Sequence, residues 1–370
     1  MKIIKRDTLI SCNNIIKKYS DIDLEKSLFF DIETTGFSSK STKLYMIGCL
    51  YMNKETETFH TIQWFLDDYK DESSIILAFI EFSRSYKNLI HFNGQGFDIP
   101  YIEEKCKIYN IIFNFNCFKH IDLYKCLFNI KKLFKTENLK QRTMEKFFDL
   151  NRDDTFSGGD LISVYSEYMN TKDERGMDFL LLHNFEDIKG MITLMDILSY
   201  AYIFEEKYDL KTLCIENYVT KDNVPKKEVI IELKLNTPVP KRVSLGAKEF
   251  YMTAFKDILK LKINVYTDEL KFFYPNYKDY YYLPKEDMSV HKSVAFYVDK
   301  NFRVKAKAAN CYSKKTGQFL PQYDEVITPY FKREYNDKIT YFEMTDDFLG
   351  SGESVLKYIR HVLEVLIKTK

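Results

Sequence analysis

Three strand-like runs follow one another near the start of the chain. Residues 27–32 (SLFFDI), 43–52 (KLYMIGCLYM) and 58–65 (TFHTIQWF) are rich in aromatic and apolar residues, and only the polar NKETE joins the last two. That spacing predicts an antiparallel hairpin. Beyond it the pattern alternates. A helix is expected over 73–86, with Ile76, Phe79 and Ile80 on one stripe, then a strand over 89–92 and a glycine turn, NGQG. A helix over 98–107 carries Pro100 in its first turn, and a fifth strand covers 117–123. Further helices are expected near 123–133, 138–149, 160–169 and 176–206. A hairpin-first sheet followed by strand–helix units is an α/β arrangement: a mixed sheet with helices on both faces.

From about residue 207 the signals become strands: VIIELKL, LKINVYTDELKFFY, YYYLP, KSVAFYVD and FRVKAKAANCY, closed by a helix over 353–367. The chain of 370 residues therefore reads as two domains, 1–206 and a β-rich α+β domain over 207–370. Residues 1–204 hold 26 Lys and Arg against 30 Asp and Glu, and residues 205–370 hold 29 against 24. An acidic half beside a basic half suits a carboxylate-rich site next to a phosphate-binding surface. Seven scattered cysteines without a CxxC suggest neither a zinc site nor a disulfide framework. The start, MKIIKRDTLISCNN, has no apolar core of signal-peptide length, and the longest apolar run falls far short of a membrane span. The expectation is a cytoplasmic protein without a membrane partner.

Four acids stand out by position. Asp31 and Glu33 lie two apart at the end of a strand, so both project from one face. Asp98 follows a strand and a glycine turn, at the mouth of a helix. Asp187 sits within a long apolar helix, sharing a face with His183 four residues earlier. Carboxylates from strand ends and a facing helix can converge on hard divalent cations, which want oxygen ligands. Two such ions can clamp the attacking and leaving oxygens of an in-line phosphoryl displacement. Several acids must meet for that chemistry, and without the ions they would raise one another's pKa.

DIETTG at 31–36, FNGQGFDIPYI at 92–102 and HNFEDIKGM at 183–191 resemble the three exonuclease motifs of the DEDD 3′→5′ exonucleases. Within that superfamily they resemble the ribonuclease-H-like, YprB-like proteins of low-GC Gram-positive bacteria. The resemblance covers roughly residues 27–205. It implies a ribonuclease-H-like domain and Asp31, Glu33, Asp98 and Asp187 as ligands of two Mg2+ or Mn2+ ions. It also implies a supporting or substrate role for Asn93, and a general base or water-orienting residue just before the last Asp. The Tyr branch of the family spaces that residue four before the Asp, and the His branch five. His183 is a His at the Tyr spacing.

Thr34, Thr35 and Gly36 would present the turn after the first motif to a terminal nucleotide, although a plain turn accounts for them as well. Residues 300–323 hold six basic residues and no acid, and a run of Phe and Tyr over 272–282 lies nearby in sequence. Basic groups with aromatic faces are what single-strand binding uses, which marks Lys305 and Lys307 as candidate phosphate contacts. The reading is a metal-dependent 3′→5′ exonuclease of single-stranded RNA or DNA. The alternatives are a weakly active or inactive nucleic-acid-binding module on the same fold, or a structure-specific endonuclease. Nothing in the sequence names a protein partner, and no residue separates RNA from DNA.

Overall fold

A computed structural model describes residues 1–152, 158–220 and 222–369. The chain divides into two compact units, Met1–Tyr202 with Thr237–Lys241, and Ile203–Asn236 with Arg242–Lys370. No linear boundary describes this division, because a short piece of one long strand returns to the first unit.

The first elements in chain order are β1 (Lys2–Ser11), α1 (Asn13–Lys18), β2 (Ser27–Thr34), β3 (Leu44–Asn53), β4 (Thr58–Phe65), α2 (Glu72–Ser83) and β5 (Asn88–His91). They continue with α3 (Asp98–Ile108), β6 (Lys119–Asp122), α4 (Leu123–Asn129), α5 (Gln141–Phe147), α6 (Gly158–Thr171), α7 (Glu174–Leu194) and α8 (Asp196–Phe204). The sheet order is β1-β4-β3-β2-β5-β6. β1, β4, β3 and β2 pair antiparallel, whereas β5 and β6 join in parallel. This is the mixed, helix-flanked sheet expected from the strand–helix order.

Strand alternation decides what each face of the sheet holds. Phe30 and Trp64 meet Phe79 of α2 on one face, at ring-centroid distances of 5.3 and 6.4 Å. One residue along, Asp31, Gly48 and Gln63 lie in register across β2, β3 and β4. Their row lies under α7, whose Asn184 contacts it. β3 is covered on both sides, so residues 44–50 are all buried.

Several expected elements differ. β1 was not expected, because KIIKRDTLIS mixes charged with apolar residues. As an edge strand it keeps much of itself wet (Ile3 is 54% exposed), and pairing with β4 rather than burial holds it. The helix expected over 176–206 is two helices, α7 and α8, interrupted at Met195.

The second unit contains β7 (Tyr208–Val219), β8 (Pro225–Ala247), whose residues 237–241 pack with the first unit, and β9 (Phe250–Phe273). β10 (Tyr280–Leu283), β11 (Met288–His291), α9 (Lys292–Ala295), β12 (Val304–Lys305), β13 (Tyr312–Gln322), β14 (Tyr330–Phe331), β15 (Thr340–Glu343), α10 (Asp346–Gly350) and α11 (Gly352–Lys368) follow. Its main sheet runs β14-β15-β13-β9-β8-β7, and β11-β10-β12 form a smaller one. α11 buries Val355, Ile359, Val362 and Leu366 as one stripe.

Residues 292–299, expected as a strand, begin with the helical turn α9, where the His291 side chain caps the Ser293 N–H. Phe296 and Tyr297 beyond it are 76% and 87% exposed, so no sheet rewards their strand propensity. Of the strand expected over 302–312, only β12 and the residues of β13 pair. Among the described residues no helix is long and apolar enough to cross a membrane.

Candidate active site

The end of β2 carries Asp31 and Glu33 toward α7, and the start of α3 brings up Asp98, which is 6% exposed. The Asp98 carboxylate accepts the Ile32 N–H at 3.2 Å, so the helix start is tied to the peptide between the two β2 acids. From α7, His183 Nε2 lies 3.2 Å from Asp187 Oδ2 and 3.8 Å from Glu33 Oε1. One ligand atom each from Glu33, His183 and Asp187 lies within 4.8 Å of the others.

Asn184, on the same turn as His183, is fully buried. Its Nδ2 donates to Asp31 Oδ2 at 3.0 Å, and its Oδ1 accepts from Gln63 Nε2 at 3.0 Å. Gln63 thereby fixes which end of the amide faces the acid. Gly48, paired with Asp31, makes the room: a Cβ there would sit 1.8 Å from Asn184 Oδ1. Gly48→Ala is therefore expected to cost about 1–3 kcal/mol as an overpacking change. It should also release Asn184 from Asp31. An unchanged melting temperature and unchanged activity would refute this.

Electrostatics separates the four acids. Burial raises Asp31 well above the ordinary carboxylate range, and the charges of Asp187, Asp98 and Glu33 add to it against the Asn184 hydrogen bond. Burial likewise pushes Glu33 up to about 8, where the nearby His183 opposes and the charges of Asp187 and Asp98 reinforce. Asp98 is pushed up to about 7 by burial, against hydrogen bonds from its own N–H and that of Ile32. Asp187 goes the other way. Burial would raise it, but the His183 hydrogen bond and the Arg152 charge outweigh burial and hold it below its usual value.

Arg152 Nη2 sits 2.6 Å from Asp187 Oδ1, and its guanidinium also grips the buried Glu145 of α5. Gln141 Nε2 donates to the Asp187 carbonyl at 2.8 Å. Arg142 Nη2 lies 3.2 Å from His183 Nδ1. A guanidinium only donates, so Nδ1 accepts and the ring proton sits on Nε2, aimed at Asp187.

Among the described residues, no Lys or Arg pairs with Asp31, Glu33 or Asp98. Three mostly buried carboxylates that repel one another, with no Lys or Arg on them among the described residues, fit a divalent cation: their oxygens are the donors Mg2+ and Mn2+ take, and an ion would remove the repulsion.

Thr35 is spent on its own turn, its N–H donating to the Lys43 carbonyl at 2.8 Å and its hydroxyl accepting the Lys43 N–H at 2.8 Å. The Thr34 hydroxyl donates to the Gly36 carbonyl at 2.9 Å. Asn93 is exposed, in the left-handed region at φ 66°, with its N–H on Asp122 at 3.0 Å. Asp122 also takes the Gln95, Tyr124 and Lys125 N–H groups, so it holds the whole glycine turn. Asn93 lines a small cleft with Tyr124 and Gln141. Lys305 and Lys307 belong to the second unit and are exposed.

Asn184, Gln63, Gly48, Arg142 and Arg152 were not among the residues marked from the sequence. The glycine alone had a usable signal, standing in the middle of the apolar run KLYMIGCLYM. Gly190, inside α7, faces Glu145: a Cβ there would lie 2.1 Å from Oε1.

No curated protein sequence matches the chain. Among solved structures, E. coli exonuclease I in complex with a dT13 oligonucleotide is similar at 11% identity and TM-score 0.31, over 56% of this chain and 54% of that one. The zinc-bound E. coli exonuclease I–ssDNA complex is similar at 11% identity and TM-score 0.31, over 93% and 73%. The family B DNA polymerase of Pyrobaculum calidifontis is similar at 12% identity and TM-score 0.38, over 92% of this chain and 46% of that one. The chain thus spans about half the length of the first exonuclease I structure it matches, 54%. Likenesses this faint carry no conclusion about activity. The model of the RNase_H superfamily matches residues 28–199. With the mixed sheet order above, that match shows the fold of the first unit to be ribonuclease-H-like.

Proposed function

We propose that the chain is a divalent-metal-dependent 3′→5′ exonuclease hydrolysing terminal phosphodiester bonds of single-stranded RNA or DNA, akin to the YprB-like proteins. The observation that carries this reading is the gathering of Asp31, Glu33, Asp98 and Asp187, three of them with no Lys or Arg partner among the described residues. Asp31, Glu33, Asp98 and Asp187 would hold two Mg2+ or Mn2+ ions. When bound, these would supply Lewis acidity at the attacking and leaving oxygens of the phosphoryl displacement.

The chain's own residues then have separable tasks. Asn184 orients Asp31, and the Ile32 N–H orients Asp98. His183 holds Asp187 through Nε2–H, and in the tautomer that Arg142 imposes it orients rather than accepts a proton. Phe37, 92% exposed and edge-on to Phe97 at 6.1 Å, offers a stacking face beside the turn of Thr34, Thr35 and Gly36, with Asn93 on the neighbouring loop.

Arg152 on Asp187 is the observation that favours the second reading, a binding module with little turnover. One assay separates the two. The pure protein is incubated with end-labelled RNA and DNA oligonucleotides in Mg2+, Mn2+ or EDTA. Ladders shortening from the 3′ end only with metal support the exonuclease; internal cuts indicate an endonuclease; a retarded, uncut oligonucleotide indicates the binding module.

A further inference from the structure

The end of β9 and residues 328–335 of the second unit enclose an open pocket of about 830 Å³, within the size range of ligand sites. Six rings make its walls: Phe272, Phe273, Tyr274, Tyr277, Tyr330 and Tyr335. They are braced from behind. Tyr274 stacks on Tyr280 at 4.4 Å and 16°, and Phe272 meets Phe331 edge-on at 5.9 Å. Phe273 meets Tyr312 and Tyr335 edge-on, each at 5.3 Å.

Lys332 is the only charged lining residue among those described. Its main chain exchanges both hydrogen bonds with Lys271, at 2.8 and 2.9 Å, which fixes where the side chain starts. No ion pair occupies it among the described residues. Nearby acids are engaged elsewhere: Glu334 pairs with Lys271 at 2.7 Å, and Glu325 takes the Tyr330 hydroxyl. Lys307, next in sequence to the lining residue Ala308, is exposed and likewise without an ion pair among the described residues.

We propose that this pocket holds an unstacked base of single-stranded nucleic acid, with an adjoining phosphate on Lys332, as a substrate contact separate from hydrolysis. The proposal rests on the nuclease reading and adds a second binding element to it. Charge chooses the occupant. An aromatic cage for an organic cation needs negative faces with no positive neighbour, whereas here the lone charge is a lysine. Aromatic walls with one cation suit a ligand that is a flat ring at one end and an anion at the other. Every base has a π-face, so such a pocket accepts any sequence.

The test is fluorescence anisotropy of labelled single-stranded 20-mers, DNA and RNA, with the full-length protein in EDTA. Free AMP is the arm for a mononucleotide source, and acetylcholine the arm for a cation. Tyr335→Ala is expected to weaken oligonucleotide binding by about 10-fold. Tyr335→Phe should restore it, because stacking needs only the ring. Lys332→Gln should lower the salt slope by about 0.7.

An unchanged affinity in Tyr335→Ala, with wild-type protein binding and cleaving the strand, overturns the pocket and leaves the nuclease reading intact. Wild-type protein that neither binds nor cuts the strand overturns both. Tight AMP binding with oligonucleotide affinity indifferent to Tyr335 overturns the strand contact in favour of a nucleotide site. Binding of acetylcholine in place of the oligonucleotide overturns the charge argument.

Discussion

Asp31→Asn is expected to lower turnover by roughly 10³-fold or more, the rate equivalent of several kcal/mol of lost charge stabilisation at the reacting phosphate. The substitution isolates charge from fold. The amide that replaces the carboxylate keeps an oxygen where Asp31 Oδ2 accepts from Asn184 Nδ2 at 3.0 Å, so the link from β2 to α7 survives. The melting temperature should hold or rise, because a carboxylate that its neighbours repel becomes neutral. His183→Ala makes the contrast. A general base is worth about 10²–10⁴-fold and leaves an ionisation in the pH–rate profile. His183, with its proton on Nε2 facing Asp187, should cost less, about 10-fold, and its loss should not move the acid limb of the profile. Steady-state rates on a 3′-labelled oligonucleotide, measured across pH, decide both points. An Asp31→Asn protein within about tenfold of wild type would remove the metal role from this residue, since several kcal/mol would then not be missing. A His183→Ala loss of about 100-fold or more that abolishes one ionisation would restore His183 as the base.

The strands that position the site were legible because burial wrote them. β3 is covered on both faces and reads as an unbroken apolar run; β2 and β4 carry Phe30 and Trp64 to one side and Asp31 and Gln63 to the other. β1 left no such mark, since an edge strand needs only backbone partners. In the second unit, the aromatic run at 292–299 imitated a strand, but His291 caps a helical turn and the rings stay in water. Propensity without a neighbouring edge does not make a sheet.

The acids were legible for a different reason. Two carboxylates two residues apart on a strand, and a His four before an Asp on a helix, are fixed by local periodicity. Arg152, Asn184 and Gln63 are fixed by tertiary neighbours instead. Arg152 reaches Asp187 from 35 positions away, and Gln63 reaches Asn184 from 121. Nothing in the residues flanking them announces either meeting. Hence the sequence marked the four acids but not the side chains that the fold sets against them.

In EDTA the protein is expected to lose stability as pH rises from about 6.5 to 8, and Mg2+ or Mn2+ should reverse the trend. Glu33 at about 8 and Asp98 at about 7 are raised above their unfolded values. A raised group makes the folded state bind more protons, so its stabilisation is full below the unfolded pKa and is lost as pH rises through the folded one. His91 opposes this at lower pH. Burial depresses it to about 4, so its contribution is lost as pH falls below about 6.5. The two effects compete between about pH 4 and 6.5, and above that window the acids act without His91. A cation binds the deprotonated acids, so its stabilisation must grow with pH. At a hundredfold excess over Kd the gain is about 2.7 kcal/mol, or roughly 5–10 °C for a unit of this size. Thermal melts at pH 6.5 and 8, with EDTA and with each metal, measure this directly. Asp31→Asn should lose most of the metal shift and flatten the EDTA slope. An equal metal shift at both pH values, or the full shift in Asp31→Asn, would mean that the ions bind elsewhere.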